Sequence, residues 1–283
     1  MVLNLKSKVT LRISASISLL CVVLLCASGT QAQSKDELEA DSSQTLTATS
    51  ADETTHELSE AVIEEKQETE HKLNLIPFTA KFDAFRYGKK LGYASLALSK
   101  QADNHFKFEY SSKVSFFFLS DKRYETSEFT VVDNRIKPET YKYKRTGTGA
   151  DKRASVTFDS VSQKILVNNE PSFDYLDQFD NQVYRLDLQA KLAEGQTEFH
   201  YDIINDRGQL RQYQLRVIGT DQLDLPFGKI QGIKVAMVRE NSTRETFAWF
   251  SPQLNYQLVR LQQFKDGEEQ GDIQLSEYQQ LDL

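Results

Sequence analysis

The stretch Phe106-Lys107-Phe108-Glu109-Tyr110 decides how this chain folds. Aromatic and charged residues alternate strictly in it, and successive side chains of a β-strand point to opposite faces. The stretch therefore predicts a strand with one buried aromatic face and one solvated charged face. The same period of two returns throughout the rest of the chain, with turn residues between the repeats. It recurs around Phe82, Phe129, Tyr141, Val156, Tyr201, Tyr213, Val235, Trp249, Leu261 and Leu275.

One stretch has a helical period instead. Its apolar residues are spaced 3, 4, 3 and 4 apart, at Leu176, Phe179, Val183, Leu186 and Ala190. This spacing predicts a helix with one apolar side over residues 176–192. Asp177 or Asp180 is suited to cap its start, and Gly195 is suited to follow its end.

These patterns together predict a mainly β fold. We expect about ten or eleven strands in a curled antiparallel sheet, with one substantial helix across its concave face. A sheet of this length must curl, split into layers or close in order to protect its edges. A half-barrel and a closed barrel produce the same alternation, so the pattern leaves that choice open.

Residues 1–32 have the features of a cleaved secretory signal peptide. Lys6, Lys8 and Arg12 precede an almost wholly apolar run over residues 13–27, and Thr30-Gln31-Ala32 is suited to cleavage. A membrane anchor is the alternative, but the run is shorter than the roughly 20 residues that span a bilayer. The chain's two cysteines, at positions 21 and 26, lie within this segment, so we expect none in the mature protein.

Residues 33–75 differ in composition from the rest of the chain. They contain twelve acidic residues, three lysines and no aromatic residue, which predicts a disordered acidic tether. The full chain has a net charge of −7, so residues 76–283 are nearly neutral. We expect these residues to form a single β-rich domain, monomeric and without affinity for nucleic acid.

The domain lacks recognisable catalytic motifs. It has no cysteine, and its two histidines, His105 and His200, are not paired, so we expect no metal and no cofactor. Glu198 and Asp202 would share one face of a strand, as an acid–base pair requires, but a solvated strand face has the same pattern. No catalytic residue is assigned, and a non-enzymatic role is favoured over a carboxylate-based hydrolase of the envelope.

Two surface patterns allow more than one interpretation. In the stretch 141–145, alternation places Tyr141 and Tyr143 in the core and the basic residues in solvent, where they could meet anionic lipid headgroups or the acidic tether. The run Phe116-Phe117-Phe118-Leu119 cannot face one side of a strand. We expect it to be covered core, and the alternative is the mouth of a hydrophobic ligand site.

Three segments together resemble a known bacterial family. They are Tyr87-Gly88 with Leu91-Gly92-Tyr93-Ala94, the stretch from Phe129 to Tyr141 through Pro138, and the stretch from Leu225 to Val235 followed by Ala248-Trp249-Phe250-Ser251-Pro252. In order and content they resemble the exported family known as domain of unknown function 3108. The resemblance implies a periplasmic location and supplies no catalytic residue. By fold-level analogy it implies a sheet like those of lipoprotein carriers.

The favoured hypothesis is therefore a non-enzymatic periplasmic protein that binds an apolar or lipidic ligand, such as a lipid or lipoprotein, in the concave face of its sheet. Phe108, Phe117, Tyr213 and Trp249 are the candidate lining residues. The alternative is an envelope scaffold that binds another envelope protein through the acidic tether or an edge strand.

Overall fold

The alternating stretches form the strands of a single sheet in residues 73–240 and 242–281, the part of the chain that this computed structural model describes. The predicted signal peptide and nearly all of the predicted tether lie outside these residues. The strands are β1 (Phe78–Arg86), β2 (Lys89–Ala102), β3 (His105–Phe116), β4 (Leu119–Val132), β5 (Arg135–Gly147), β6 (Lys152–Asp159), β7 (Lys164–Val167), β8 (Glu170–Asp174), β9 (Phe179–Asp180), β10 (Glu198–Ile204), β11 (Leu210–Leu225), β12 (Gly228–Val238), β13 (Arg244–Ser251), β14 (Gln257–Lys265) and β15 (Glu268–Gln280).

Sheet order follows chain order except at one junction. The order is β8-β7-β6-β5-β4-β3-β2-β1-β15-β14-β13-β12-β11-β10-β9, so the first and last long strands pair with each other. All pairings are antiparallel except that of β9 with β10. The described residues contain fifteen strands, more than the predicted ten or eleven. Two of the additional strands, β8 and β9, have only five and two residues, too few for a period of two to be recognised.

The helix α1 (Tyr184–Ala193) shows that the sheet curls. The guanidinium of Arg185 lies 5.5 Å from the ring of Phe108 on β3, while the ring of Tyr184 lies 5.8 Å from that of Tyr213 on β11. Six strands separate β3 from β11 in the sheet. In a flat sheet they would be about 34 Å apart, at about 4.8 Å per strand. Neighbouring residues of one helix contact both strands only because the sheet wraps around α1.

The curled sheet does not close into a barrel. At its β9–β10 end, Ile204 packs against the inner face of β5 to β7, in a fully buried cluster with Tyr141, Val156 and Ile165. This contact is apolar packing, and the strand order remains that of an open sheet. The prediction of a mainly β, curled antiparallel sheet with one substantial helix is confirmed, and the sheet is the open form.

The helix is shorter than its apolar spacing predicted. Residues 176–183 are not helical, and Leu176 is 77% exposed. Phe179 and Asp180 form β9 instead, because they pair with Ile203 and Ile204 of β10. The predicted end is confirmed, since Gly195 has a φ of 79° and its N–H bonds the carbonyl of Leu192. In the part of the chain that the structure describes, no helix has the length and apolar character needed to cross a membrane.

Candidate functional site

The inward face of β4 places polar side chains inside the sheet. Phe129 is fully buried, and each second residue before it points to the same face. These residues are Ser127, Glu125, Arg123 and Asp121, and all are buried. Together with the segment Asp180–Arg185 and the neighbouring tyrosines of β3 and β5, they form what we call the interior polar cluster.

Glu125 is the centre of the cluster. One of its carboxylate oxygens, Oε2, accepts hydrogen bonds from the hydroxyl of Tyr141 at 2.6 Å, the amide of Asn181 at 3.0 Å and the amide of Gln182 at 2.5 Å. A buried carboxylate needs such donors because it has lost its hydration. These bonds connect β4 and β5 to the segment that leads into α1.

Asp180 fixes the start of α1 to the sheet. Its Oδ1 accepts the hydroxyl of Ser127 at 2.9 Å and the backbone N–H groups of Gln182 at 2.7 Å and Val183 at 3.0 Å. Burial raises the pKa of Asp180 to about 6, and the charge of Glu125 adds to the rise, although the three hydrogen bonds oppose it. Asp180 therefore changes charge close to neutral pH.

Asp121 neutralises two arginines at one end of the cluster. Its carboxylate accepts from Nε of Arg123 at 2.8 Å and from Nε of Arg145 at 2.6 Å. Burial alone would lower the pKa of Arg123, but the hydrogen bonds and charge of Asp121 outweigh it and raise that pKa. This part of the cluster is a paired, hydrogen-bonded structural unit.

Arg185 lacks such a carboxylate. Its side chain projects from the first turn of α1, where the residue is 2% exposed, and its Nε donates to the carbonyl of Gln182. Its Nη1 and Nη2 have no hydrogen-bond partner among the described residues, and its charge acts on the nearby hydroxyl of Tyr110. Burial raises the pKa of Tyr110 to about 12, which the hydroxyl of Ser112 and the nearby charges of Arg123 and Arg185 partly oppose.

A narrow gap lies between α1 and the sheet. Phe78, Leu98 and Leu186 line it, and residues 74–76 lie at its mouth. Its volume of about 20 Å³ holds one water molecule. A longer ligand would enter here only if α1 moved away from β1 and β2.

The structure brings two of the four candidate lining residues together. Phe108 and Tyr213 are buried on the inner face, and each contacts the first turn of α1 through Arg185 and Tyr184. These two therefore lie where the favoured hypothesis requires them.

The other two candidates do not face the interior, which corrects their predicted position. Phe117 lies in the β3–β4 turn and is 86% exposed, so the expectation of covered core for this run is wrong. Trp249 is buried on the opposite face of β13 from Ala248, because adjacent strand residues alternate. Its indole donates to Asp221, and Lys234 and Arg260 lie against its ring.

The remaining chemical candidates lie on the surface. Glu198, Asp202, His105 and His200 are all exposed, as expected for the solvated face of a strand. Within residues 73–240 and 242–281, no three His, Cys, Asp or Glu side chains are grouped so that they could hold a metal ion.

Sequence reasoning missed the interior polar cluster, although a signal for part of it was present. Phe129 faces inward, and side chains alternate along a strand, so counting back in steps of two along β4 places Glu125 and Asp121 on the inward face. No such signal identifies Arg185, because its burial depends on the sheet that surrounds α1.

Asp180 gives a prediction about pH. Its pKa is raised from 3.8 to about 6, so between these values the folded protein holds a proton that the unfolded chain has lost. Stability therefore falls as the pH rises through this window, by an amount on the order of 3 kcal/mol, and the loss is complete above it. Asp180→Asn keeps the acceptor oxygen without the charge. In urea unfolding, we expect the free energy of unfolding of this variant not to fall as the pH rises through the window. At pH 7.5 the variant should therefore be more stable than the wild type.

The exposed Asp202→Asn is the matched control for this charge change and should follow the wild-type profile. If the stability of Asp180→Asn fell with rising pH as steeply as that of the wild type, the fall would not come from Asp180.

Comparison with known sequences identifies the family. Residues 78–274 match a family described as proteins of unknown function, DUF3108. The chain belongs to this family. The match runs from β1 into β15, so the DUF3108 region of the chain includes α1 and the interior polar cluster. None of the curated proteins compared with the chain matches it.

The fold is similar to that in the crystal structure of a β-barrel-like protein of domain of unknown function DUF1849 from Brucella abortus, with 11% identity and a TM-score of 0.51 over 74% of this chain and 100% of that chain. At this identity the likeness concerns the fold alone. A candidate exported protein with a YmcC-like fold from Bacteroides fragilis has 9% identity and a TM-score of only 0.28, over 73% of this chain and 97% of that one.

Proposed function

We propose that this DUF3108 protein is a non-enzymatic binding protein of the periplasm, and that it holds an amphipathic ligand with an acidic head group between the curled sheet and α1. The observation that carries the proposal is Arg185, a buried guanidinium whose two terminal nitrogens lack a hydrogen-bond partner among the described residues. The predicted signal peptide supports an exported location.

A buried guanidinium whose two terminal nitrogens lack acceptors is unfavourable, because a charge loses its hydration on burial. The ring of Phe108 compensates part of this cost through its face. A carboxylate or phosphate would compensate more, since it accepts from both Nη atoms at once. The hydroxyl of Tyr110, which lies near enough to Arg185 to feel its charge, is a further donor for the same head group.

The walls beside Arg185 suit the apolar part of such a ligand. Phe108 continues into Leu98 and Phe78 on the neighbouring strands β2 and β1, and Leu186 covers them from α1. Burying an acyl chain along this path contributes about 25 cal/mol per Å² of apolar surface. Because the gap here has the volume of one water molecule, the proposal requires α1 to move when the ligand enters.

The test compares two probes with the same hydrocarbon tail, one with a carboxylate head group and one with an uncharged hydroxyl. Purified mature protein is titrated with oleate and with oleyl alcohol, and binding is followed by isothermal titration calorimetry. We expect oleate to bind about tenfold more tightly, because a charged hydrogen bond is worth about 1.5–3 kcal/mol. In Arg185→Gln this preference should disappear.

Arg216→Gln, at an exposed position of β11, is the matched control and should keep the preference. Failure of the wild type to bind either probe, or an oleate preference that survives in Arg185→Gln, would overturn the proposal.

A further inference from the structure

The β3–β4 turn projects aromatic side chains into solvent. Phe117 and Phe118 are each 86% exposed and Phe116 is 44% exposed. We call residues Phe116–Phe118 the aromatic tip. Exposed aromatic rings in a row are unusual on a soluble surface, because each keeps a large apolar area in water.

The fold does not require aromatic residues at this turn. Phe117 has a φ of 53°, in the left-handed region where turns favour Gly, Asn or Asp. A bulky residue there is strained, and although the ring packs edge-on against that of Phe116 at 4.5 Å, most of its surface stays in solvent. The ammonium group of Lys89, the first residue of β2, lies 5.9 Å from the ring of Phe116. The aromatic tip therefore has a cation beside it.

A row of basic residues begins next to the aromatic tip, on the outer face of β3 to β6. In the sheet register Lys113 is directly opposite Lys122, and Lys144 is directly opposite Arg153. Their neighbours along the strands, including Ser112, Arg123, Tyr143 and Ala154, are buried on the other face. We call Lys113, Lys122, Lys144 and Arg153 the basic ladder.

The basic ladder consists of like-charge pairs, which destabilise a sheet when they are directly opposite. None of its four members forms an ion pair with any described residue. Asp121, which directly precedes Lys122, is buried on the inner face, and the exposed Asp151 in the β5–β6 turn forms no ion pair with a described residue. Tyr93 and Tyr124 share the same outer face and are about half exposed. Among residues 73–240 and 242–281, the basic ladder therefore has no negatively charged partner.

We propose that the aromatic tip and the basic ladder dock this protein on the surface of an anionic phospholipid bilayer. The tip places apolar rings where headgroups meet acyl chains, and the ladder faces the phosphates. An acidic peptide would satisfy the ladder equally well, but it would leave the exposed rings without a role. The bilayer is the partner that uses both features.

Docking goes beyond the proposed ligand site, because it uses the outer face and one turn, whereas Arg185 and Tyr110 lie inside the sheet. Variants of the tip or ladder leave the interior unchanged. Docking and ligand binding therefore succeed or fail separately.

The test is vesicle co-sedimentation of the mature protein, purified after expression of the full chain. Vesicles contain either phosphatidylcholine alone or phosphatidylcholine with an equal amount of phosphatidylglycerol. We expect binding to the anionic vesicles only, with most of it lost on raising NaCl from about 0.05 to about 0.5 M. Phe117→Ser/Phe118→Ser and Lys113→Gln/Lys144→Gln should each weaken binding about tenfold.

The opposite end of the sheet offers matched controls. Phe227→Ser removes an exposed ring from the β11–β12 turn, Lys229→Gln removes an exposed lysine from the start of β12, and both variants should bind like the wild type. The ladder variant Lys113→Gln/Lys144→Gln should unfold at the same temperature as the wild type or at a higher one, since it removes two like-charge pairs. This readout separates lost docking from misfolding.

Three outcomes would overturn the proposal. One is that the wild type binds no vesicle at the lower salt concentration. Another is that binding is equal in the tip, ladder and control variants. The third is that a peptide of residues 33–72 binds to the basic ladder even when anionic vesicles are present. That result would mean that the ladder binds an acidic protein segment instead of a bilayer.

Discussion

Replacing Asp121 with asparagine is expected to lower the free energy of unfolding by about 3–5 kcal/mol, the range seen when one partner of a buried ion pair is removed. The carboxylate of Asp121 is the acid that Arg123 and Arg145 share on the inner face of the sheet. Without it, two guanidinium groups with side chains only 6% and 14% exposed are left close together without a counter-charge. Neither can reach water without leaving the strand face.

Urea unfolding followed by far-ultraviolet circular dichroism measures this loss. The control is Glu277→Gln, which breaks the exposed pair with Lys81 and should cost less than about 1 kcal/mol. Adding Arg123→Gln to Asp121→Asn should restore part of the stability, because it removes one uncompensated charge. If Asp121→Asn unfolds at the same urea concentration as Glu277→Gln, the carboxylate does not have the role that its contacts indicate.

Local alternation was enough to predict much of the fold. The stretch 106–110 forms the first half of β3, with its aromatic side buried and its charged side partly exposed. Tyr141 and Tyr143 are buried while Lys142 and Lys144 are exposed, as the same rule predicted. Such predictions succeed because the period of two depends only on the geometry of the strand.

Predictions failed where long-range structure competes with local pattern. The apolar spacing from Leu176 suggested a helix start there, but pairing of Phe179 with β10 holds this segment in β9. Phe117 belongs to an apolar run, yet the run coincides with a turn, which places its rings in solvent.

The interior polar cluster was predictable only in part. Glu125 lies four residues before the inward-facing Phe129 on the same strand, so its inward direction could be predicted. Arg185 is different, because it lies between two apolar residues of a short helix, and a helix on an ordinary surface would turn it to solvent. Its burial results from a sheet that surrounds α1, and curvature on that scale arises from fifteen strands together.

Gly92→Ala is the second change from which we expect a large effect. Gly92 pairs with Val114 across β2 and β3, and an added Cβ would lie 2.0 Å from the carbonyl oxygen of Lys113 and 2.8 Å from the Cα of Val114. Both are backbone atoms, so no side-chain rotation relieves the overlap. The two strands must separate locally and lose pairing, at a cost of about 3 kcal/mol or more. Urea unfolding of the purified variant measures this cost.

Gly149→Ala is the control, because a Cβ there meets nothing within 4 Å and only the backbone conformation, with a φ of 100°, opposes the change. It should cost about 1–2 kcal/mol. The difference between the two variants isolates the close approach of β3 to β2 from the general cost of losing a glycine. Equal costs would mean that β2 and β3 are not packed as closely as these distances indicate. A much larger cost at Gly92 would explain why a glycine stands in the middle of a strand, where it is otherwise unfavourable.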